Sequence, residues 1–179
     1  MTAGCRTRRL QLFRAAAVLT TTLTACWAQA QSVPAMPRLR SEDAVMARLI
    51  VDATTLSETF RRLVLDIETT NGIVYIETGQ CKFGVRACLT HSMIVAGPNR
   101  ILRVVVDTRR DRAGLLGAIG HELQHAWEML RVPGLTTSEA MFFHALGTSA
   151  TAPTRFETNE AIEAGERIEG EVRKGRAEH

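Results

Sequence analysis

The spacing of apolar residues divides the chain into helical and strand-like segments. A helical period runs from residue 41 to about residue 72 and predicts one long helix or two shorter ones. Three apolar runs typical of strands follow, at residues 73–78, 89–96 and 101–107. The helical period then returns over residues 112–130 and, after a loop-like stretch, in a last helix at about residues 155–174.

This order of elements predicts an α+β domain. The connections between the three strand-like runs are short, and parallel strands normally need a longer crossover. We therefore expect a small three-stranded sheet, mixed or antiparallel, in which residues 89–96 and 101–107 form a hairpin. A helix precedes this sheet, and the last two helices follow it.

Residues 1–30 have the pattern of a secretory signal peptide. An arginine-rich start is followed by an apolar run over residues 15–25 and by the small-residue site Ala28-Gln29-Ala30. An alternative is the lipobox-like Leu23-Thr24-Ala25-Cys26, in which Cys26 would be acylated. Both predict an exported protein, periplasmic or extracellular, that meets the membrane only through its signal or a lipid anchor. Residues 31–41 form a linker, 42–175 the domain and 176–179 a tail.

Composition and charge narrow the possible partners. The chain is 45% hydrophobic and 23% charged, as in ordinary globular proteins. Four of its 22 Lys and Arg residues precede residue 31, so the rest has 18 basic and 19 acidic residues. This balance argues against a nucleic-acid partner. Setting the signal aside leaves two cysteines, Cys81 and Cys88, which we expect to form a disulfide in an oxidising compartment.

The predicted helix at residues 112–130 contains His121-Glu122-Leu123-Gln124-His125, an HExxH motif. Residues four apart lie on one face of a helix, so both imidazoles can bind one zinc ion. Glu122 is then placed to act as general base on a water molecule. Apolar residues occupy the opposite face of the helix: Leu116, Ile119, Leu123, Trp127 and Leu130.

A catalytic zinc site needs a third protein ligand, and two glutamates of the last predicted helix compete for this role. On a helical wheel Glu157 lies closer than Glu160 to the inward stripe of that helix. A buried carboxylate is costly without a partner, so this position favours Glu157 as the ligand, with Glu160 as the alternative.

The motif followed by a downstream glutamate resembles the gluzincin branch of zinc metallopeptidases. The run Asn159-Glu160-Ala161-Ile162 is similar to the ligand helix of thermolysin-like enzymes, which favours Glu160. The run Phe156-Glu157-Thr158 instead resembles small secreted bacterial proteins that share the HELQH sequence, which favours Glu157. The resemblance implies a minimal zincin-like fold, bound zinc and a peptide or protein substrate that adds to an edge strand, here residues 101–107. The chain has no room for the second lobe of thermolysin-like enzymes.

Other polar residues are candidates for supporting roles. Glu128 shares the face of the two histidines and either orients a ligand or is a solvated acid. Hydrolysis of an amide also calls for a donor to the developing oxyanion, for which the candidates are Tyr75, His91, His144 and Arg155. The sequence thus predicts a secreted zinc-dependent hydrolase, in the first place a metallopeptidase. The alternative is a non-catalytic envelope module with a structural metal site and a strand that binds a peptide or protein.

Overall fold

The computed structural model describes residues 37–109, 111–149 and 156–177. The chain divides into two units, residues 1–35 and 36–179, and every described residue belongs to the second unit. The predicted signal peptide, Cys26 and Arg155 lie outside the described residues. The elements are, in order, β1 (Leu39–Arg40), α1 (Ala44–Leu56), α2 (Glu58–Glu68), β2 (Gly72–Thr78), β3 (Ala87–Leu89), β4 (Ile94–Ala96), β5 (Asn99–Val106), α3 (Arg112–Leu130), α4 (Ser138–Thr148) and α5 (Asn159–Ala177). The predicted α+β class is confirmed.

The first helical segment forms two helices and not one. The helix is interrupted at Ser57, whose backbone is extended at φ −127° and ψ 121°. Its hydroxyl accepts a hydrogen bond from the backbone N–H of Phe60 at 2.9 Å and so caps the start of α2. Buried apolar side chains of both helices, among them Met46, Phe60 and Ile67, pack into the core.

Strand β5 lies inside the sheet. It pairs in parallel with β2, from Gly72 opposite Arg100 to Thr78 opposite Val106, and antiparallel with β3 and β4 on its other side. Because β1 joins β2, the sheet has five strands and is mixed.

Three details of the predicted sheet are wrong. The sheet has more than three strands, residues 89–96 form parts of two short strands instead of one, and residues 101–107 are not an edge strand. The parallel pairing is possible because residues 79–98 themselves make the crossover. They pass to the far side of β5, run back as β3 and β4, and turn at Gly97-Pro98 into β5. Gly97 has a φ of +58°, which favours glycine at this turn.

Helix α3 runs through the middle of the domain. Asp111 caps its first turn by accepting from the backbone N–H of Gly114 at 3.0 Å. Of the predicted apolar stripe, Leu116, Ile119, Leu123 and Leu130 are buried and Trp127 is partly buried. The face that carries the histidines is also covered, since α5 packs against it.

Two glycines allow α3 and α5 to approach closely. A Cβ atom on Gly117 would lie 2.8 Å from the carbonyl oxygen of Gly165, and a Cβ on Gly165 would lie 3.1 Å from the Cβ of His121. No larger residue fits at Gly117 without a shift of the backbone opposite. This contact brings the start of α5 beside the histidines of α3.

The region between α3 and α5 differs from the prediction. Residues 131–153 were expected to be loop-like, but they contain α4. Thr137 caps this helix by accepting from the backbone N–H of Ala140 at 3.1 Å, while Met141 and Ala145, four residues apart, are buried. Helix α5 begins at Asn159, later than predicted, so Glu157 precedes it.

Within the described ranges, no helix is both long enough and apolar enough to cross a bilayer.

Candidate metal centre

Three side chains converge where α3 meets the start of α5. The Oε1 atom of Glu157 lies 2.9 Å from Nε2 of His121 and 3.4 Å from Nε2 of His125. One ligand atom from each residue lies within 4.8 Å of the other two. His125 is buried, and His121 and Glu157 are partly buried. This group could bind a metal ion.

The structure separates the two glutamates that competed for the third position. Glu157 lies in the extended segment before α5, where its backbone N–H donates to Oγ of Ser149 at 3.2 Å. Glu160 lies in the first turn of α5 and is exposed. Glu157 is therefore the acid that reaches the histidines, although it does so from outside the helix on which its position was predicted.

Two atoms of this group are buried and make no hydrogen bond of acceptable geometry, although each lies within 3.4 Å of another candidate ligand atom. They are Nε2 of His125 and Oε1 of Glu157. An unpaired buried polar atom costs about 1–3 kcal/mol, so a native structure normally gives it a partner. Two imidazole nitrogens and a carboxylate are a donor set that zinc accepts at about 2.0–2.2 Å, which places neighbouring ligand atoms about 3.4 Å apart. The residues present therefore fit a metal ion such as zinc in their chemistry, with ligand atoms that lie within 4.8 Å of one another.

Glu128 is the buried partner of His125. One carboxylate oxygen lies 3.1 Å from Nδ1 of His125, and the other accepts from Nε2 of Gln124 and Oγ1 of Thr158, each at 3.0 Å. Burial raises the pKa of Glu128, but the hydrogen bonds from His125, Gln124 and Thr158 outweigh it and hold the pKa below its ordinary value. In the tautomer that carries its proton on Nδ1, His125 donates a hydrogen bond to the ionised Glu128, and the Nε2 lone pair is then available to a metal. Of the two interpretations of Glu128, the structure supports the orienting role.

Glu122, the predicted general base, contacts the sheet. Its Oε2 atom accepts a hydrogen bond of 2.7 Å from the backbone N–H of Leu89, the last residue of β3. Glu122 and the three candidate ligands line the same cleft, which has a volume of about 830 Å³. The carboxylate is therefore held at the wall of the cleft by the edge of the sheet.

The walls of this cleft come from both sides of the candidate metal centre. One side consists of β3 and the loop before it, where the structure joins Cys81 and Cys88 in a disulfide. The other side is apolar and comes from the end of α3, from α4 and from the segment before α5, with Met129, Met141, Phe142, Leu146 and Phe156. A second, more open depression of about 630 Å³ shares His121, Glu122 and Glu157 and continues over Gly117 and Gly165. The candidate centre thus borders two depressions of the surface.

Among the predicted oxyanion donors that the structure describes, only His91 lines the cleft with the candidate metal ligands. Its ring packs edge-on against Phe142, with ring centroids 6.0 Å apart. Tyr75 lies on β2, where its hydroxyl accepts from Arg40 at 3.5 Å, and His144 is half-buried on α4.

Two contacts at the site were not predicted. Thr158 caps α5 by accepting from the backbone N–H of Ala161 at 3.2 Å and at the same time donates to Glu128. A threonine before a helical period is a recognisable N-cap signal and could have been found. The contact between the Leu89 N–H and Glu122 has no sequence signal, because it joins residues of different elements.

No family model, curated protein or solved structure matches this chain. The interpretation of the site therefore rests on its own residues.

Proposed function

We propose that this protein is an exported zinc-dependent hydrolase of the gluzincin type that cleaves peptide bonds. The observation that carries the proposal is the convergence of His121, His125 and Glu157, in which the buried Nε2 of His125 and Oε1 of Glu157 make no hydrogen bond of acceptable geometry. These three residues would hold the ion, and Glu122 of the same motif lines the cleft that they face.

Three protein ligands are the usual number in a catalytic zinc site, which keeps a fourth position for water or substrate. Zinc bound there would lower the pKa of a water molecule and polarise a carbonyl group. The ligands come from α3 and from the segment before α5, two parts of the chain that the Gly117–Gly165 contact holds together. The buried Glu128 fixes the ring of His125.

Glu122 supplies the acid–base chemistry in this proposal. Its carboxylate accepts a proton from the attacking water and then donates it to the leaving amine. The hydrogen bond from Leu89 limits the orientations open to the carboxylate and leaves its other oxygen available to the cleft. His91 is the described donor candidate that lines this cleft and could contact the developing oxyanion.

The proposed substrate is an extended peptide that adds to β3. Residues 86 and 90 bond to β5, because the carbonyl of Arg86 accepts from Asp107 and the N–H of Thr90 donates to Arg103. Backbone groups alternate along a strand, so those of Ala87 and Leu89 point away from β5. The N–H of Leu89 is taken by Glu122, so the carbonyl of Leu89 and the backbone groups of Ala87 form the edge at which a peptide can pair. The apolar wall of the cleft favours a bulky apolar side chain in the substrate.

Export is part of the proposal. The disulfide between Cys81 and Cys88 supports it, because such bonds persist in oxidising compartments. The signal-like residues 1–30 support it as well. Either cleavage after Ala30 or acylation of Cys26 is compatible with the proposal.

The first experiment measures zinc per chain by elemental mass spectrometry and hydrolysis of a peptide library, for the wild type, Glu122→Gln and His121→Ala. We expect about one zinc in the wild type and in Glu122→Gln, none in His121→Ala, and a loss of turnover in Glu122→Gln of about 10²–10⁴-fold. Full activity in Glu122→Gln, or a wild type that takes up no metal, would contradict the proposal.

A structural metal site is the second candidate function. It is favoured by one observation: the three ligands join α3 to the segment before α5, so a metal there would clamp their packing. This alternative predicts zinc-dependent stability without hydrolysis. The same set of variants decides between the two, since a structural site binds zinc and has no activity that Glu122→Gln could remove.

A further inference from the structure

The Cys81–Cys88 disulfide lies one residue from the contact that holds Glu122. Cys88 is the middle residue of β3, and Leu89, the next residue, donates its backbone N–H to Glu122. The Cα atoms of Cys81 and Cys88 are 6.0 Å apart. The crosslink therefore anchors the strand that fixes the proposed general base.

Besides the disulfide, strand β3 is held by the burial of Ala87 and Leu89 in the core and by its pairing with β5. It is three residues long and pairs on one side only, with β5. The flanking backbone hydrogen bonds run from Asp107 to Arg86 at 2.7 Å and from Thr90 to Arg103 at 2.8 Å. A strand that pairs on one side only can open locally without unpairing the rest of the sheet. The disulfide adds a covalent bond to residue 81 near the end of β2, where Gly79 donates its N–H to Val106 at 2.9 Å.

The candidate metal ligands do not depend on this anchor. His121 and His125 lie on α3, and Glu157 is placed by the start of α5 and by Ser149. Glu128, which orients His125, accepts hydrogen bonds from Gln124 of α3 and from Thr158 at the start of α5. Loss of the crosslink should therefore loosen the strand at Glu122 and leave the ligand group in place.

We propose that the Cys81–Cys88 disulfide is a positioning element for Glu122, so that the thiol–disulfide state of this pair controls turnover without controlling metal binding. The inference rests on the proposed function. Both cysteines are partly exposed and line the cleft, so a reductant can reach them. A dithiol reductant gives two electrons and two protons to the pair: its own disulfide forms, the Sγ–Sγ bond breaks, and Cys81 and Cys88 become thiols.

The test uses the full chain loaded with zinc, before and after reduction by a water-soluble phosphine. A phosphine is used because a thiol reductant would itself bind zinc and could remove it from the protein. The phosphine takes up an oxygen atom from water, and the two protons of that water go to the two cysteines. We measure zinc per chain, hydrogen exchange of the Leu89 amide, and kcat and KM for a peptide substrate. We expect unchanged zinc, at least tenfold faster exchange at Leu89, and a fall in kcat of about ten- to a hundredfold with a smaller change in KM.

The matched control is the double variant Cys81→Ser/Cys88→Ser. Without reductant it should behave like the reduced wild type, and the phosphine should change nothing further. The proposal is overturned if Leu89 exchange and kcat are the same in the oxidised, reduced and double-variant proteins, or if reduction releases the zinc. If the oxidised protein binds zinc but cleaves no peptide, the proposed function fails. The exchange of Leu89, measured without substrate, still tests the positioning.

Discussion

The starts of helices α2 and α5 have the same capping arrangement but different surroundings. At α2, Ser57 caps the helix and donates from its hydroxyl to Glu171 of another helix. At α5, Thr158 caps the helix and donates to Glu128 of α3. In both cases a carboxylate from a second helix ties a helix start into the core.

The difference lies in what surrounds the two carboxylates. The oxygens of Glu171 accept three hydrogen bonds, all from residues at the start of α2: the hydroxyls of Ser57 and Thr59 and the backbone N–H of Thr59. Glu128 also accepts from a histidine, and the other nitrogen of that ring is buried and makes no hydrogen bond of acceptable geometry. The first arrangement is closed and serves stability alone. The second orients the ring of His125, whose Nε2 atom could bind a metal ion. We therefore expect metal binding at the start of α5 and not at the start of α2.

The largest effect should come from removing the carboxylate beside the capping threonine. Glu157→Gln replaces a charged candidate ligand by a neutral amide. Loss of a group that only contacts a ligand lowers metal affinity by about ten- to a hundredfold, and we expect a larger fall here. Isothermal titration of the metal-free protein with zinc measures this change.

Glu160→Gln is the matched control, because it makes the same chemical change three residues away at an exposed position. It should bind zinc as the wild type does. Equal affinities of the two variants would remove Glu157 from the site, and a loss confined to Glu160→Gln would restore the alternative ligand.

The two buried carboxylates can be compared directly. Glu128→Gln places an amide group against the donors Gln124 and Thr158 and weakens the hydrogen bond to His125. Zinc affinity should therefore fall by about ten- to a hundredfold. Glu171→Gln should leave zinc affinity unchanged and lower the free energy of unfolding by about 1 kcal/mol, as the loss of a cap does. Zinc titration and urea unfolding of both variants separate the two roles. If Glu171→Gln also weakened zinc binding, the distinction between the two helix starts would be wrong.

A smaller effect is expected at the apolar wall of the cleft. Phe142 and Phe143 are neighbours on α4 and both are partly exposed, at 45% and 63%, but Phe142 lines the cleft and Phe143 does not. Phe142→Ala should lower kcat/KM for peptides with a bulky apolar residue by about tenfold, and Phe143→Ala should have little effect. Steady-state kinetics on matched peptides with leucine or glycine at that position provide the measurement. Equal losses in both variants would place the apolar subsite elsewhere.

The sequence predicted the parts of the molecule that depend on local spacing. The helical periods and the HExxH face follow from residues close together along the chain, whereas the preference for Glu157 over Glu160 rested on a helical position that Glu157 does not occupy. The sequence analysis describes the stretch before the last helix as loop-like and so misses α4, which Thr137 caps. Its buried residues Met141 and Ala145 carry the helical spacing that would have shown it.

Contacts between distant elements could not be predicted in this way. The parallel pairing of β2 with β5 depends on residues 79–98 crossing the sheet without a helix. The bond from Leu89 to Glu122 joins residues 33 apart, and that from Thr158 to Glu128 joins residues 30 apart. These contacts decide how Glu122 and His125 are oriented, so the sequence identifies the chemical groups of the site but not the supports that position them.

The smallest predicted effect is a pH dependence at the closed helix start. Burial raises the pKa of Glu171, but hydrogen bonds from Ser57 and Thr59 outweigh it and hold the pKa below the ordinary value. A carboxyl whose pKa is lower in the folded state adds stability above its unfolded pKa of about 4.3 and loses this contribution as the pH falls through the folded value. The difference in unfolding free energy between the wild type and Glu171→Gln should therefore be constant near neutral pH and shrink in acid. Urea unfolding of the metal-free proteins across the acid range measures it, and a difference that grows as the pH falls would show that the bonds to Ser57 and Thr59 do not favour the ionised carboxylate.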